Sequence, residues 1–406
     1  MALAEWRTWR TLVVLIGLAA IALALWPRRG TRPLGDVATV PELETLMERL
    51  VASSTPPGMS LVVVRNGDVV YAKGYGWADG PRRIAATPQT VYHWFSCTKI
   101  VTAIAILQLR ERGALQLDDP VTKYLPFFTV HTPSASGRSV TIRHLLTHSS
   151  GLPDAGWRII GWVHHDNEPA VNQTAMLQRV LPHYVNLAFE PGDHAEYTNI
   201  GYMVLGAIIE RVTGRTYEDY VRQEILLPLA MQHTDFVYKT SMASDEAAGS
   251  HPLLHSWSVA IPFLAGSYVR EVTAGRVWFK RFYNDQTPPT GLIGSAADAA
   301  RLLSALTNGG QFQGRRILSQ ESVTAMIHEG YVDGREDDRR SNRRQGIGWQ
   351  IYRDRDRLMI RHDGGGLGFS SVMQLYPDEH LGLALFTNDV TCQASGVVSL
   401  AAGLNW

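Results

Sequence analysis

Ser96-Cys97-Thr98-Lys99 opens a long apolar run, and its reading decides how this 406-residue chain is understood. Residues three apart share one face of a helix, so the serine hydroxyl and the lysine amine are set side by side. A serine hydroxyl is a weak nucleophile until a nearby base takes its proton, and a desolvated lysine suits that task. The chain holds five lysines, Lys73, Lys99, Lys123, Lys239 and Lys280, and only Lys99 has a serine three positions before it. At average serine usage about 0.3 such pairs are expected by accident. The plainer alternative is a serine helix cap followed by a lysine with a buried stem, and only the rest of the chain separates the two.

Composition narrows the chemistry. Hydrophobic residues make up 45% and charged residues 19%, with 38 basic and 38 acidic side chains. A globular chain of zero net charge carries no polyanion-binding footprint, so nucleic acid is not an expected partner. The arginine-rich stretch from Gly334 to Arg344 is interrupted by Asp and Glu and reads as a solvated loop. With Cys97 and Cys392 alone, neither a disulfide framework nor a CxxC site is available. The fourteen histidines include the pair His164-His165 but form no metal-ligand pattern, so no metal or cofactor is expected.

Thr11 to Trp26 is a 16-residue uncharged run, flanked by Arg7 and Arg10 before it and by Arg28 and Arg29 after it. That is long for a signal-peptide core and short for a full span. The run continues past Ala22-Leu23-Ala24, which resembles a cleavage site, and Trp6, Trp9 and Trp26 suit a membrane interface. Residues 1–33 are therefore expected to be an uncleaved membrane anchor and linker with the body outside the cytoplasm; secretion after signal cleavage is the alternative.

Val40 to Ser53 has helical periodicity, and the alternating runs Ser60 to Arg65 and Asp68 to Ala72 are joined by Asn66-Gly67, a strong hairpin signal. Thr98 to Arg112 is apolar nearly all round, which predicts a buried central helix. Helix patterns and turn residues fill Leu117 to Gly330. Strand patterns return at Gly348 to Arg353, Leu358 to His362, Ser371 to Tyr376 and Leu381 to Thr387, before a closing helix from Val390 to Leu404. The expectation is a mixed α/β fold. Residues 34–98 and 345–406 build an antiparallel sheet flanked by helices, and 99–344 form a large inserted helical subdomain.

Two further segments bear on Ser96. Phe189-Glu190-Pro191-Gly192 is a turn leading into Tyr197-Thr198-Asn199, ahead of a helix from Met203 to Arg211. A tyrosine beside a lysine ammonium can serve as a base, and an asparagine can hydrogen-bond both the lysine and a substrate carbonyl. Tyr184-Val185-Asn186 has the same spacing but lies in a helix-like stretch before the turn, so Tyr197 is preferred. His362-Asp363-Gly364-Gly365-Gly366 ends a strand pattern, where glycines let a ligand reach backbone N–H groups. Alone it also reads as a turn before the next strand.

In that order, Ser96-x-x-Lys99, Tyr197-x-Asn199 and His362-Asp363-Gly364 resemble the serine β-lactamase and penicillin-binding-protein superfamily, most closely its class C-like branch. That branch includes family VIII-type carboxylesterases, D-amino-acid peptidases and D-alanyl-D-alanine carboxypeptidases. The resemblance runs from about Glu42 to the C-terminus. It includes Tyr75 to Asp79, the segment Leu145 to Pro153, and Gly291 to Asp298. It implies a β-lactamase/transpeptidase-like fold, Ser96 as acylated nucleophile and Lys99 as its proton acceptor or relay. It also implies Tyr197 as partner base and leaving-group acid, and Asn199, His362, Asp363 and Gly364 as substrate-binding positions. The oxyanion hole would be the backbone N–H groups of Ser96 and Gly365. Whether Lys99 or Tyr197 takes the serine proton stays open, since the two titrate as a coupled pair.

One departure bears on substrate. His362 stands where many β-lactamases have lysine in a Lys-Thr-Gly motif, and histidine is only partly charged near neutral pH. Asp363 either adds an anion or points away, because neighbouring strand residues face opposite sides. Both weaken the case for an anionic β-lactam and favour small esters, or amides lacking a critical carboxylate. The aromatic-rich segment Trp257 to Tyr283, with Phe263, Tyr268, Trp278, Phe279 and Phe282, is either an acyl-pocket wall or ordinary core. The expected activity is that of an acyl-serine hydrolase, most of all an esterase. A β-lactamase or D-amino-acid peptidase comes next, and a membrane-tethered, non-turnover penicillin sensor last.

Overall fold

A computed structural model of the chain describes residues 34–134, 137–166, 171–253, 268–332, 343–354 and 357–406. The expected anchor at 1–33, Trp257, Phe263 and the arginine-rich stretch from 334 to 342 lie outside the described residues. Asn66 and Gly67 take φ of 53° and 85°, the backbone of a type I′ turn whose twist matches the strands it joins. Those strands are β1 (Gly58–Arg65) and β2 (Asp68–Asp79), with the short β3 (Ile84–Ala85) beyond β2.

On its other side β1 pairs with the last strand of the chain. The late strands are β4 (Gly330–Val332), β5 (Arg344–Gly346), β6 (Gln350–Asp354), β7 (Arg357–Gly366), β8 (Phe369–Tyr376) and β9 (Leu381–Thr387). Together they make a nine-stranded sheet in the order β4-β5-β6-β7-β8-β9-β1-β2-β3. Each neighbouring pair is antiparallel. The expected boundary at 345 thus falls inside the sheet, because β4 and β5 precede it or straddle it. Strands of three residues carry too few alternations to announce themselves in sequence.

Alternation along β1 sorts its side chains between two cores. Met59, Leu61 and Val63 pack with Leu43 and Met47 of helix α1 (Val40–Ala52) and with Val397 and Val398 of the C-terminal helix Ala394–Ala401. Val62 and Val64 face the larger core, which also holds helix α2 (Thr98–Glu111). Helix α2 is buried at every position from Thr98 to Leu109, as its all-round apolar pattern requires. Helix α3 (Asn199–Thr213) and helix α4 (Ala296–Thr307) join the same core, and Leu303 of α4 rests on Gly382 of β9. With these elements in place, the C-terminal helix Ala394–Ala401 is α5. The inserted segment also carries short strand pairs, among them Val163–His164 against Tyr283–Asn284. Both cysteines are free thiols. Among the described residues no helix is long and apolar enough to cross a membrane.

Candidate active site

Helix α2 is preceded by a single 3-10 turn, Phe95–Cys97, which carries Ser96. Phe95 has φ of 45°, a conformation that costs a non-glycine residue on the order of 1–3 kcal/mol. Surrounding contacts hold it there. The Phe95 ring packs against His93 and Phe282, with centroids 5.3 and 6.5 Å away. The Cys97 thiol donates to the His362 carbonyl at 3.2 Å, and Ser371 Oγ donates to the Trp94 carbonyl at 2.6 Å. These bonds tie the turn to β7 and β8. At Gly364 a Cβ would lie 2.3 Å from the Trp94 carbonyl oxygen and 3.1 Å from the Ser96 nitrogen, so only glycine lets the strand approach this closely.

Lys99 lies one helical turn beyond Ser96 and is fully buried. Its Nζ is 2.7 Å from Asn199 Oδ1, 3.1 Å from the Pro289 carbonyl and 3.4 Å from Ser96 Oγ. Burial disfavours the ammonium and pushes Lys99 down to about 7, against the opposing pull of the Asp154 carboxylate. The Tyr197 hydroxyl donates to Ser96 Oγ at 2.8 Å. Burial raises the Tyr197 phenol, only partly offset by that hydrogen bond, so it is a neutral donor near pH 7.

Tyr197 and Asn199 are held by the start of α3. Thr198 caps that helix, its Oγ1 accepting from the Ile200 N–H at 3.2 Å. The Thr198 N–H donates to His148 Nδ1 at 3.2 Å, and the His148 ring lies 4.5 Å from that of Tyr197. Asp154 Oδ1 accepts from both the backbone N–H and Nδ2 of Asn199, at 2.8 and 3.1 Å. With its nitrogen so engaged, the Asn199 amide can only present oxygen to Lys99. Asp154 and His148 had no assigned role in the sequence reading. His148 belongs to the Leu145–Pro153 segment and Asp154 follows it, so polar residues around Gly151-Leu152-Pro153 were the available signal. Tyr184 lines a separate hollow with Trp162, Arg179 and His183.

The strand side differs from expectation. His362 is 2% exposed, and burial together with the nearby Lys99 pushes it down to about 3, so it is neutral rather than partly charged near pH 7. Its ring lies 6.2 Å from that of Tyr197. Asp363 does not join the site. It points to the opposite face of the sheet, where Ser395 of α5 donates to Oδ1 at 3.1 Å and Arg361 Nε lies 3.3 Å away. Burial raises its carboxyl above the usual range, against the pull of Arg361. Gly364 backs the Ser96 turn, and Gly365 lines the same cavity as Ser96.

That cavity holds about 480 Å³. Phe95, Ile159, Val163, Phe282, Leu367 and Val390 give it apolar walls, and Asn199, His251, Asn284, Gln286 and Thr290 are its polar lining residues. Among the described residues no lysine, arginine, aspartate or glutamate lines it. Of the aromatic-rich segment, Phe282 reaches this cavity. Trp278 and Phe279 are buried in a strand, and Tyr268 stacks on His165. Phe282 is also shared with a second cavity of about 390 Å³, lined by Asp79, Glu246, Arg270 and Arg281. No group of three or more His, Cys, Asp or Glu among the described residues is placed to hold a metal ion.

A family model described as Beta-lactamase matches residues 43–398. Protein flp of Staphylococcus aureus (strain MRSA252) is 33% identical over 208 residues, covering 51% of this chain and 40% of that protein. The chain therefore spans less than half the length of that relative. Penicillin-binding protein 4* of Bacillus subtilis (strain 168) is 28% identical over 355 residues, 85% of this chain and 71% of the relative. The solved octameric penicillin-binding protein homologue from Pyrococcus abyssi superposes with a TM-score of 0.73 at 30% identity, over 90% of this chain and 78% of its own.

Proposed function

This chain belongs to the Beta-lactamase family, with the β-lactamase/transpeptidase-like fold, and we propose that it is a serine hydrolase acting on uncharged esters through an acyl-enzyme at Ser96. One observation carries the reading. The Ser96 hydroxyl, between Lys99 and Tyr197, opens into a mainly apolar cavity whose described lining residues include no lysine, arginine, aspartate or glutamate. A substrate carboxylate placed there would lose its hydration without gaining a lysine or arginine partner from the wall. His362, neutral at pH 7, adds no cation.

The same contacts support one order of proton steps. A neutral lysine has two N–H donors and one lone pair. The Asn199 Oδ1 and the Pro289 carbonyl can only accept, so they take both donors and leave the lone pair to Ser96. Lys99 takes the hydroxyl proton as Ser96 Oγ attacks the ester carbonyl. The carbonyl electron pair moves to oxygen, where the N–H groups of Ser96 and Gly365 and the N-terminal end of α2 stabilise it. Collapse of this intermediate expels the alcohol, which Tyr197 protonates while Lys99 returns its proton to Tyr197. Water then attacks the acyl-serine carbonyl through the same groups in reverse. The apolar run at Thr11 to Trp26 would tether this domain outside the cytoplasm, which N-terminal sequencing of the mature protein tests against a cleaved signal.

The test is a panel of chromogenic short-chain esters, a chromogenic cephalosporin and a D-alanyl-D-alanine peptide, run on wild type and Ser96→Ala. Ester turnover should exceed the other two activities and vanish in the variant. Fast cephalosporin hydrolysis with slow ester turnover would overturn the substrate assignment.

A further inference from the structure

Asp154 stands at the surface and is not among the residues that line the Ser96 cavity, yet its carboxylate reaches the proton path from behind. Oδ1 accepts from the backbone N–H and the Nδ2 of Asn199, at 2.8 and 3.1 Å. Oδ2 accepts at 3.2 Å from the N–H of Gly156, a residue of the cavity wall. The preceding Pro153 carbonyl accepts from Thr198 Oγ1 at 3.2 Å, so the segment is stitched to the start of α3 at two successive residues. A carboxylate can only accept, so Oδ1 dictates that nitrogen is the end of the Asn199 amide that faces it. The amide oxygen is then turned to Lys99 Nζ at 2.7 Å. Without that partner the amide, whose two ends are nearly the same size, is free to turn over. Its N–H would then take the lysine lone pair that Ser96 requires.

Asp154 also acts on Lys99 by its charge. Five other titratable groups lie near the amine. Tyr197 and Tyr202 of α3 have rings 4.8 and 5.5 Å from Nζ; the others are Cys97 of the 3-10 turn, His148 of the Leu145–Pro153 segment and His362 of β7. All five are uncharged near pH 7, because burial raises the two phenols and the thiol and lowers the two histidines. Among the described residues that leaves the Asp154 carboxylate as the charge opposing the effect of burial on Lys99. A nearby anion favours the ammonium over the amine. We propose that Asp154 is a positioning residue with two effects on the reaction: it fixes the Asn199 amide with oxygen towards Lys99, and its charge sets the acid limit of activity. This rests on the serine-hydrolase reading above.

The test follows kcat/KM for a p-nitrophenyl ester against pH in wild type, Asp154→Asn, Asp154→Ala and Ser96→Ala. Asparagine keeps an oxygen for both Asn199 donors and removes the charge, whereas alanine removes both. In Asp154→Asn the acid limb should move to lower pH by about 0.5–1, since losing a nearby anion disfavours the ammonium. The variant then keeps a larger fraction of its plateau activity at about pH 6 than wild type does. Plateau kcat should stay within about threefold in Asp154→Asn and fall by about tenfold or more in Asp154→Ala, where the amide is no longer held. A residue that only props up the fold would lower kcat and leave the limb in place, and the position of the limb does not depend on how much of a variant folds. NMR titration of protein carrying isotopically labelled lysine reads the same ionisation without turnover, with Lys99→Met identifying the resonance among the five lysines. A Lys99 resonance that titrates at the wild-type pH in Asp154→Asn, or equal plateaus in Asp154→Asn and Asp154→Ala, would overturn the assignment. Turnover surviving in Ser96→Ala would instead overturn the underlying serine-hydrolase reading, on which the lysine titration does not depend.

Discussion

On the helical wall of the active site, Ser96, Lys99, Tyr197 and Asn199 turn their side chains to one point. On the sheet wall, His362 and Asp363 turn theirs to opposite faces, and the strand meets the Ser96 turn with glycine backbone instead. The difference follows from the two periodicities. A helix returns a side chain to the same face after three or four residues, so a reactive pair fits within one turn. A strand alternates, so of two adjacent polar residues only one can face a given site. In the proposed mechanism the helical wall supplies proton chemistry through side chains, and the sheet wall supplies shape and N–H groups through its backbone.

The sharpest way to break this contrast is to remove the helical side chains one at a time. Lys99→Met and Tyr197→Phe should each lower kcat by about 10²–10⁴-fold in ester assays, the usual scale for losing a positioned acid or base. A loss below about threefold in either would remove that residue from the proton path. Acidity should show the same asymmetry. With Lys99 down to about 7, kcat/KM should fall about tenfold per unit as pH drops below 7, because the charged amine cannot accept the serine proton, and should level off above it. A profile that stays flat from pH 5 to 8 would contradict Lys99 as the base.

Stability should respond to pH through the neutral histidines. His93 and His362 are both pushed by burial from an ordinary 6.5 down to about 3. Between those values the unfolded chain binds protons that the folded chain excludes, so stability rises with pH. Their contribution is full above about 6.5 and is lost as pH falls towards 3, which denaturant titrations across that range check. The sheet wall has its own matched pair. Gly364→Ala should cost about 1–3 kcal/mol, because its new methyl meets the Trp94 carbonyl. At Gly365 the nearest atom to a new Cβ is 3.8 Å away, so Gly365→Ala should stay within about 0.5 kcal/mol. Smallest of all, Asp363→Asn should leave ester kcat/KM within about twofold, since Asp363 bonds Ser395 on the far face.

What could be read from sequence divides along similar lines. The Asn66-Gly67 hairpin, helix α2 and the pairing of Ser96 with Lys99 are local signals, complete within one turn or one alternation. The Pro191-Gly192 turn was enough to prefer Tyr197 over Tyr184. Strands β4 and β5 escaped because three residues hold too little pattern. The ionisation of His362 depends on burial by distant segments, and the side on which Asp363 points depends on strand register. Asp154 is a single polar residue whose place in the site arises only from Asn199 lying against it.

The proposed reaction passes through a covalent intermediate on Ser96. Rapid-quench intact-mass analysis during turnover of a p-nitrophenyl ester, with peptide mapping, tests it most directly. An acyl adduct should form and decay on the peptide containing Ser96 at rates matching turnover, with neither adduct nor turnover in Ser96→Ala. Turnover at the wild-type rate in Ser96→Ala, or an adduct mapping elsewhere, would contradict it.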